Sequence, residues 1–406
     1  MEDKQKISIL MEKGVKIPDP GSVFIGNNVD PARISGDNVR IYPGSRIFGE
    51  KTLIMSGARL GFEGPVTIDN CILGPEVSLK GGFFQEAVFA GKNSFGSGAH
   101  VRRGTILEEE ACAAHTVGLK QTILFPFVTL GSLINFCDCL MAGGTSRKDH
   151  SEVGSSFIHF NYTPNQDKAT PSMFGNVCQG VMLNCRPVFL GGQGGIVGPC
   201  KLAFGSVTAA GTLCRRDELR QNRLIFGGVL KQGSTPRSEG VYVNPGEIFN
   251  KNCSYIAGLI SLKNWYKHVR SLFIHDFFSE ELLNGMSSIL RHGIDERIKR
   301  LQGFCMKLEK SREILLSKSD GEETSLIYLH DKIIDRWASV QKKIIREIHR
   351  DRSGSLPGKF LGAVHRGIKE NGKDYIRVIK NITPDAACAG TTWLESIEKT
   401  IIDRIK

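Results

Sequence analysis

Two polar runs interrupt a glycine-rich, aliphatic first half of the chain, and they hold the side chains best suited to chemistry. Residues 142–152, Ala-Gly-Gly-Thr-Ser-Arg-Lys-Asp-His-Ser-Glu, carry Arg147, Lys148 and His150. Residues 159–172, His-Phe-Asn-Tyr-Thr-Pro-Asn-Gln-Asp-Lys-Ala-Thr-Pro-Ser, carry His159, Asn161, Tyr162 and Lys168. Either imidazole can take a proton from an amine or hydroxyl near neutral pH. Asn161, a backbone N–H and Lys168 can steady a developing oxyanion and hold a donor against an acceptor, and Arg147, Lys148, Lys201, Arg215 and Arg216 can meet phosphates. A plainer reading stands beside this one. His150 is then a surface histidine, His159 is stacked between coils, and the loop charges are simply solvated.

The elements that must position these runs are short. Apolar residues recur every six positions: Ile41, Ile47 and Leu53; Val101, Leu107, Ala113 and Leu119; Leu190, Ile196 and Leu202, with Thr208 next in line. Many apolar positions are followed directly by glycine, as at Ile25-Gly26, Leu60-Gly61, Leu73-Gly74, Val117-Gly118, Leu130-Gly131, Val153-Gly154, Leu190-Gly191 and Val197-Gly198. A six-residue unit is a very short strand plus a tight corner, with the apolar residue inward and glycine supplying the corner's dihedrals. Three units close a triangular coil, and stacked coils pair their strands in parallel. The alternative, an antiparallel sandwich with glycine turns, would space its strands about 8–12 residues apart. The reading is therefore an N-terminal segment 1–20, a β-helix domain 21–230, a linker 231–257 and an α-helical C-terminal domain 258–406.

In that last part, residues 258–270 open a helical region. A second helix is predicted over 279–317 with Ser279 as N-cap. A third covers 324–350, with Leu326, Leu329, Ile333, Ile334, Trp337, Ile344, Ile345 and Ile348 on one broad face. A break follows at Gly354–Gly358, and residues 375–406 read as a short strand and then a helix from about Thr391. The amphipathic faces must be buried in a bundle, over the solenoid's open end, or in an oligomer contact. Trp265 and Tyr266 read as core aromatics or as a ligand platform.

Composition narrows the function classes. The 406 residues are 40% hydrophobic and 23% charged, as in a folded protein. The net charge of +11 is spread thinly, without an RNP motif, zinc finger or basic block, so nucleic acid is not the expected partner. Anionic small molecules such as nucleotides or CoA account for the charge equally well. Eleven scattered cysteines without a CxxC pair predict reduced thiols in the cytoplasm and no metal requirement. No leader and no apolar stretch of membrane-spanning length is expected.

The run Gly154-Ser-Ser-Phe-Ile-His-Phe-Asn161-Tyr162-Thr-Pro-Asn-Gln-Asp-Lys168-Ala-Thr170 is followed by Gly175, by Ile196-Val-Gly-Pro199, and by Ala209-Ala-Gly-Thr-Leu-Cys-Arg-Arg-Asp217. Together these resemble the acyltransferase half of the bifunctional bacterial enzyme that makes UDP-N-acetylglucosamine. The resemblance implies a left-handed parallel β-helix of hexapeptide repeats, acetyl-CoA or another acyl-CoA as co-substrate, an amino sugar or nucleotide sugar as acceptor, and a homotrimer with sites between neighbours. Asn161 and Tyr162 match the element that holds the sugar and acyl donor, and Lys168 matches the lysine after it. Ala209 and Ala210 fall in the coil that meets the pantetheine arm, with Arg215 just beyond, and Gly192 falls where the family offers serine.

This sequence departs from the family pattern in two places. Thr163-Pro164 replaces Asp-Gly, and Gly144 occupies the position of the catalytic histidine, which leaves His150 and His159 as candidate bases. Leu140 to Arg147 resembles the phosphate loop of sugar nucleotidyltransferases, but one residue out of register and without a strand-turn-helix setting. The expected function is acyl-CoA-dependent acyl transfer to an amino sugar. The alternative is a non-catalytic β-helix that binds a nucleotide sugar or scaffolds a partner.

Overall fold

The computed structural model describes residues 3–227, 233–234, 236–319 and 322–405. Strands of two to four residues stack in parallel: Ile41 lies beside Leu60 and Leu60 beside Leu79, Ile25 beside Ile47 and Ile47 beside Ile68, Ile54 beside Leu73 and Leu73 beside Phe89. Sheets of ten, ten and eight strands form the three walls of a parallel β-solenoid of about 11 turns. We call them the first face, starting at Arg40–Ile41, the second, starting at Phe24–Ile25, and the third, starting at Leu53–Ile54.

The six-residue spacing finds the inward positions. Ile41, Ile47, Val101, Leu107, Leu119, Leu190 and Ile196 are all 0% exposed. Leu53 is an exception: the corner before it holds one extra residue, so Ile54 takes the inward place and Leu53 is left half-buried. The glycines also act differently from expectation. Of the eight quoted, Gly61 alone has a positive φ, of +93°. Most of the others are needed because successive coils approach closely. A Cβ on Gly74 would lie 2.4 Å from the carbonyl oxygen of Ala90 in the next coil.

The third face differs from the other two in its outward residues. On the first face the outward ladder begins Arg40, Arg59, Ser78, Ser94, and on the second Phe24, Arg46, Thr67, Phe83. On the third face it runs Leu53, Ile72, Val88, Ile106, Ile123, Leu140, Met173 before reaching Lys201. A parallel sheet apolar on both sides must be covered on both sides. Here the outer cover is helical.

Eight helices are described: α1 (Asp3–Glu12), α2 (Val177–Gly180), α3 (Pro245–His268), α4 (Glu280–Lys318), α5 (Ser325–His349), α6 (Gly358–Asn371), α7 (Tyr375–Lys380) and α8 (Pro384–Ile405). The first of them, α1, closes the solenoid's start: Ile7 and Leu10 are buried, and the Lys6 ammonium donates to the carbonyls of Gly26, Asn27 and Val29 at 2.8, 2.7 and 2.8 Å. Along the third face lie α3 and α4. A Cβ on Gly285 of α4 would sit 2.2 Å from Ile72 Cδ1, and one on Gly258 of α3 would sit 3.0 Å from Met173 Cε. Residues 249 and 252–262 of α3 are buried on nearly every side except Ser254, because the helix lies between the solenoid and α4, α5 and α8. Trp265 and Tyr266 are core: the indole N–H donates to Tyr375 Oη at 3.2 Å, and the Tyr266 hydroxyl to Glu108 Oε1 at 2.6 Å. They form no ligand platform.

Several sequence expectations are corrected. The C-terminal helical region begins at Pro245, inside the expected linker, and the 230/231 boundary falls outside the described residues. The helices lie along a wall instead of over the open end. As expected, α4 is capped by Ser279, whose Oγ accepts from Leu282 N–H at 3.2 Å, but Ile345 of α5 is 44% exposed. The β-branched run at 375–380 is the helix α7, because Asp374 caps it by accepting from Arg377 N–H at 3.0 Å and Tyr375, Val378 and Ile379 bury one face. The last helix starts at Pro384, ahead of Thr391.

Gly74→Ala is expected to destabilise by about 1–3 kcal/mol, since the new methyl meets backbone in the adjacent coil. Gly303→Ala on α4, with nothing within 4 Å of its Cβ position, is expected to stabilise by about 0.5–1 kcal/mol through helix propensity. Denaturant unfolding of both variants reads the difference, and equal effects would contradict the close stacking of coils.

Candidate functional site

The second polar run leaves the solenoid at the corner between the second and third faces, after the strand Ile158–Phe160 and before Ser172–Phe174. The helical region pins it. Asn252 of α3 donates its Nδ2–H to Ala169 O at 2.9 Å, Lys307 of α4 donates to Asn165 O, and the Tyr242 hydroxyl donates to Asp167 Oδ2 at 2.9 Å.

Between this loop, the corner and α4 lies a cavity of about 400 Å³. Its lining brings together His159, Asn161 and Lys168 from the sequence expectation with Arg102, Lys120 and Asp138 of earlier coils and Glu296, Arg297 and Arg300 of α4. Asp138 is the hub. One carboxylate oxygen meets Arg297 Nη2 at 2.8 Å, and the other accepts from Asn161 Nδ2 at 2.8 Å. Asn161 Oδ1 in turn accepts from the Thr170 hydroxyl at 2.8 Å, which fixes the amide's orientation. Glu296 pairs with Arg300 at 2.6 Å. Five cationic side chains face two carboxylates here, both already paired, so the cavity favours an anionic ligand.

His159 is 3% exposed, and burial pushes its imidazole down to about 4 from the ordinary value near 6.5, so it is neutral at physiological pH. Its Nε2 lies 2.7 Å from Ser172 Oγ, which also accepts from Cys200 N–H at 3.0 Å. Ser172 is fully buried, and its hydroxyl proton has one recorded acceptor, the His159 ring. Hydrogen-bond accounting therefore puts the hydroxyl proton on the bond to Nε2 and the imidazole proton on Nδ1, a buried atom without a hydrogen-bond partner. That tautomer leaves Nε2 occupied by Ser172 and the Nδ1–H buried, which makes His159 a poor base.

The remaining candidates lie on other edges. His150 sits in the antiparallel hairpin Gly144–Ser146/Asp149–His150 at the corner between the third and first faces, its Nε2 3.8 Å from Glu152 Oε2. Arg147 is a structural clasp: its Nη1 donates to Glu110 O, Phe127 O and Thr129 Oγ1 at 3.1, 2.8 and 2.9 Å. Lys148 is exposed. Gly144 has φ +99°, and a Cβ there would lie 2.5 Å from His150 Cα, so the hairpin excludes the histidine that the resemblance places at this position. Gly192, Ala209 and Ala210 occupy the edge between the first and second faces, and Arg215 is exposed just after it. Tyr162, 67% exposed, points to solvent.

Arg102, Lys120, Asp138, Arg297 and Arg300 were not anticipated. Arg102 and Lys120 directly follow the six-spaced residues Val101 and Leu119, which pair in adjacent coils, so that ladder of cations was there to be found. Arg297, on a helix nearly 140 residues away, left no such signal. Among the described residues, no group of three or more His, Cys, Asp or Glu side chains could hold a metal ion, and no helix is long and apolar enough to cross a membrane.

No family model matches the chain. Among curated proteins it aligns with Bifunctional protein GlmU of Carboxydothermus hydrogenoformans at 25% identity over 214 residues, 53% of this chain and 42% of that protein. The protein of the same name from Fervidobacterium nodosum is 28% identical over 215 residues, and that from Thermotoga maritima 26% over 214. Over about half its length this chain is similar to GlmU proteins at 25–28% identity. The match spans about 42% of the length of those relatives, and the parallel solenoid agrees with a hexapeptide-repeat β-helix of the GlmU kind.

The folded protein holds His159 neutral down to about pH 4, whereas the unfolded chain protonates it near 6.5. Its contribution to stability is therefore present above pH 6.5 and is lost as pH falls toward 4, on the order of 3 kcal/mol across that window. Unfolding free energies between pH 4 and 7 should show a shallower acid decline for His159→Gln than for wild type. Parallel profiles would contradict the buried neutral imidazole.

Proposed function

We propose that the protein is a GlmU-related transferase that moves an acyl group from acyl-CoA to an amino sugar or nucleotide sugar. The cavity carries this reading: it joins an oriented amide, a buried neutral histidine in its lining, and a cationic wall suited to a phosphorylated acceptor. In the reaction the acceptor amine attacks the thioester carbonyl, the C–N bond forms, the C–S bond breaks, and the amine proton leaves with the thiolate as CoA thiol. The second Nδ2–H of Asn161 would donate to the carbonyl oxygen as charge builds there, and Lys168 and Arg102 would hold the acceptor.

The candidates matched to the CoA-binding coil, Gly192, Ala209 and Ala210, lie on a different edge from the cavity. We assign the donor-binding edge to a neighbouring copy, in a homotrimer. Outward apolar side chains on the second face, Ile158, Phe160 and Leu213, at 39, 40 and 38% exposure, give such a neighbour a surface to cover. Cytoplasmic residence belongs to this same reading. A second reading, a binding protein for the same ligands without turnover, is favoured by Gly144 at the position of the family's histidine.

Acetyl-CoA mixed with glucosamine 1-phosphate should release free thiol in the presence of the protein. Asn161→Ala should lower kcat by about 10²–10³-fold, the usual cost of one oxyanion donor. Ligand binding without thiol release for any amino sugar would move the assignment to the binding reading.

A further inference from the structure

The helical region has so far been a cover, but one of its side chains enters the cavity from within the same chain. Arg297 is 3% exposed and lines the cavity. Its Nη2 is taken by Asp138 at 2.8 Å, while Nη1, also buried, has no hydrogen-bond partner. Arg102 on the solenoid side repeats the pattern: its Nη2 lies 3.8 Å from Cys137 Sγ, and its buried Nε is unpartnered. A buried N–H of a cation left without an acceptor is costly unless something fills it.

We infer that Arg297 of α4 is a positioning and anion-holding residue of this site: through Asp138 it fixes the Asn161 amide, and through its free Nη1–H it receives an oxyanion of the acceptor. The inference rests on the proposed function for the acceptor's identity, but not for the anion. The same guanidinium ties three parts of the chain together: α4, the solenoid corner at Asp138, and the loop that carries Asn161. The wall of the cavity opposite the coils is thus built in cis. Whatever a neighbouring copy adds at the donor edge, the acceptor's anionic group is held within one chain. Ligand binding and the docking of α4 on the third face are then the same event viewed from two sides, so an occupied cavity holds α4 in place.

The test compares the wild-type chain with Arg297→Lys, Arg297→Ala, and the pair Arg297→Gln/Asp138→Asn, which avoids stranding a buried charge. Binding is measured by calorimetry for glucosamine 1-phosphate, glucosamine and inorganic phosphate, with melting temperature followed in parallel. Each variant should lose about 10- to 100-fold in affinity for glucosamine 1-phosphate and for phosphate, and little for glucosamine. Arg297→Lys keeps the charge but loses the fork and should recover only part of the loss. Added methylguanidinium should restore binding to Arg297→Ala, a rescue that a purely structural role would not show. Equal losses for glucosamine and its phosphate, or wild-type phosphate binding in the double variant, would overturn the inference. Thiol release reads the proposed function separately. Phosphate binding that depends on Arg297 without acyl transfer keeps this inference and removes that one, and acyl transfer with an unchanged KM for glucosamine 1-phosphate in the variants does the reverse.

Discussion

The outward aliphatic ladder of the third face, Ile72, Val88, Ile106, Ile123, Leu140 and Met173, dictates the rest of the architecture. Burying such side chains is worth about 1.5–3 kcal/mol each, so six of them contribute roughly as much as the ~5–15 kcal/mol net stability of a whole domain. A solenoid that exposed this strip would lose that contribution and present a long apolar wall. The helices therefore lie along the prism, with α3 buried on nearly every side and α4 against the middle coils. Once α4 lies there, Arg297 arrives beside Asp138, and the cavity acquires its second wall.

Polar ties along the seam set the register that hydrophobic burial alone leaves loose. Arg270 reaches Glu109 and is held between the rings of Phe278 and Tyr375, 4.2 and 3.7 Å from their centroids. Tyr266 meets Glu108, Lys251 meets Asp217 at 2.9 Å, and the Cys178 thiol donates to Glu398 at 3.0 Å. Each is directional and largely shielded from water, so a helix that slid along the third face would leave buried polar groups unpaired. Register matters because Arg297 must meet one carboxylate and no other.

The same economy explains why the site departs from the family pattern. A hairpin at 142–152 needs a glycine at 144, where its two strands cross too closely for a side chain, and the resemblance places its histidine there. The imidazole that does reach the cavity, His159, comes from an inward strand position, and its surroundings keep it neutral. It is accordingly a poor base. Charge in the cavity comes instead from the ladder of Arg102 and Lys120, supplemented by α4.

The sequence by itself determined the solenoid, because a six-residue period with inward aliphatics is a local pattern that admits few other solutions. It also determined the α4 cap at Ser279 and the polar excursions, since those depend on near neighbours. The doubled apolar strands Ile72-Leu73, Val88-Phe89 and Ile123-Leu124 fit a covered face, but which element covers it depends on the tertiary structure. Three things were left to the tertiary structure: that 375–380 is helical, that His150, His159 and Ala209 lie on three different edges, and that Arg297 joins the site. Each depends on which distant surface a segment meets, and a side chain whose partner lies 100 or more residues away carries no periodic mark of it.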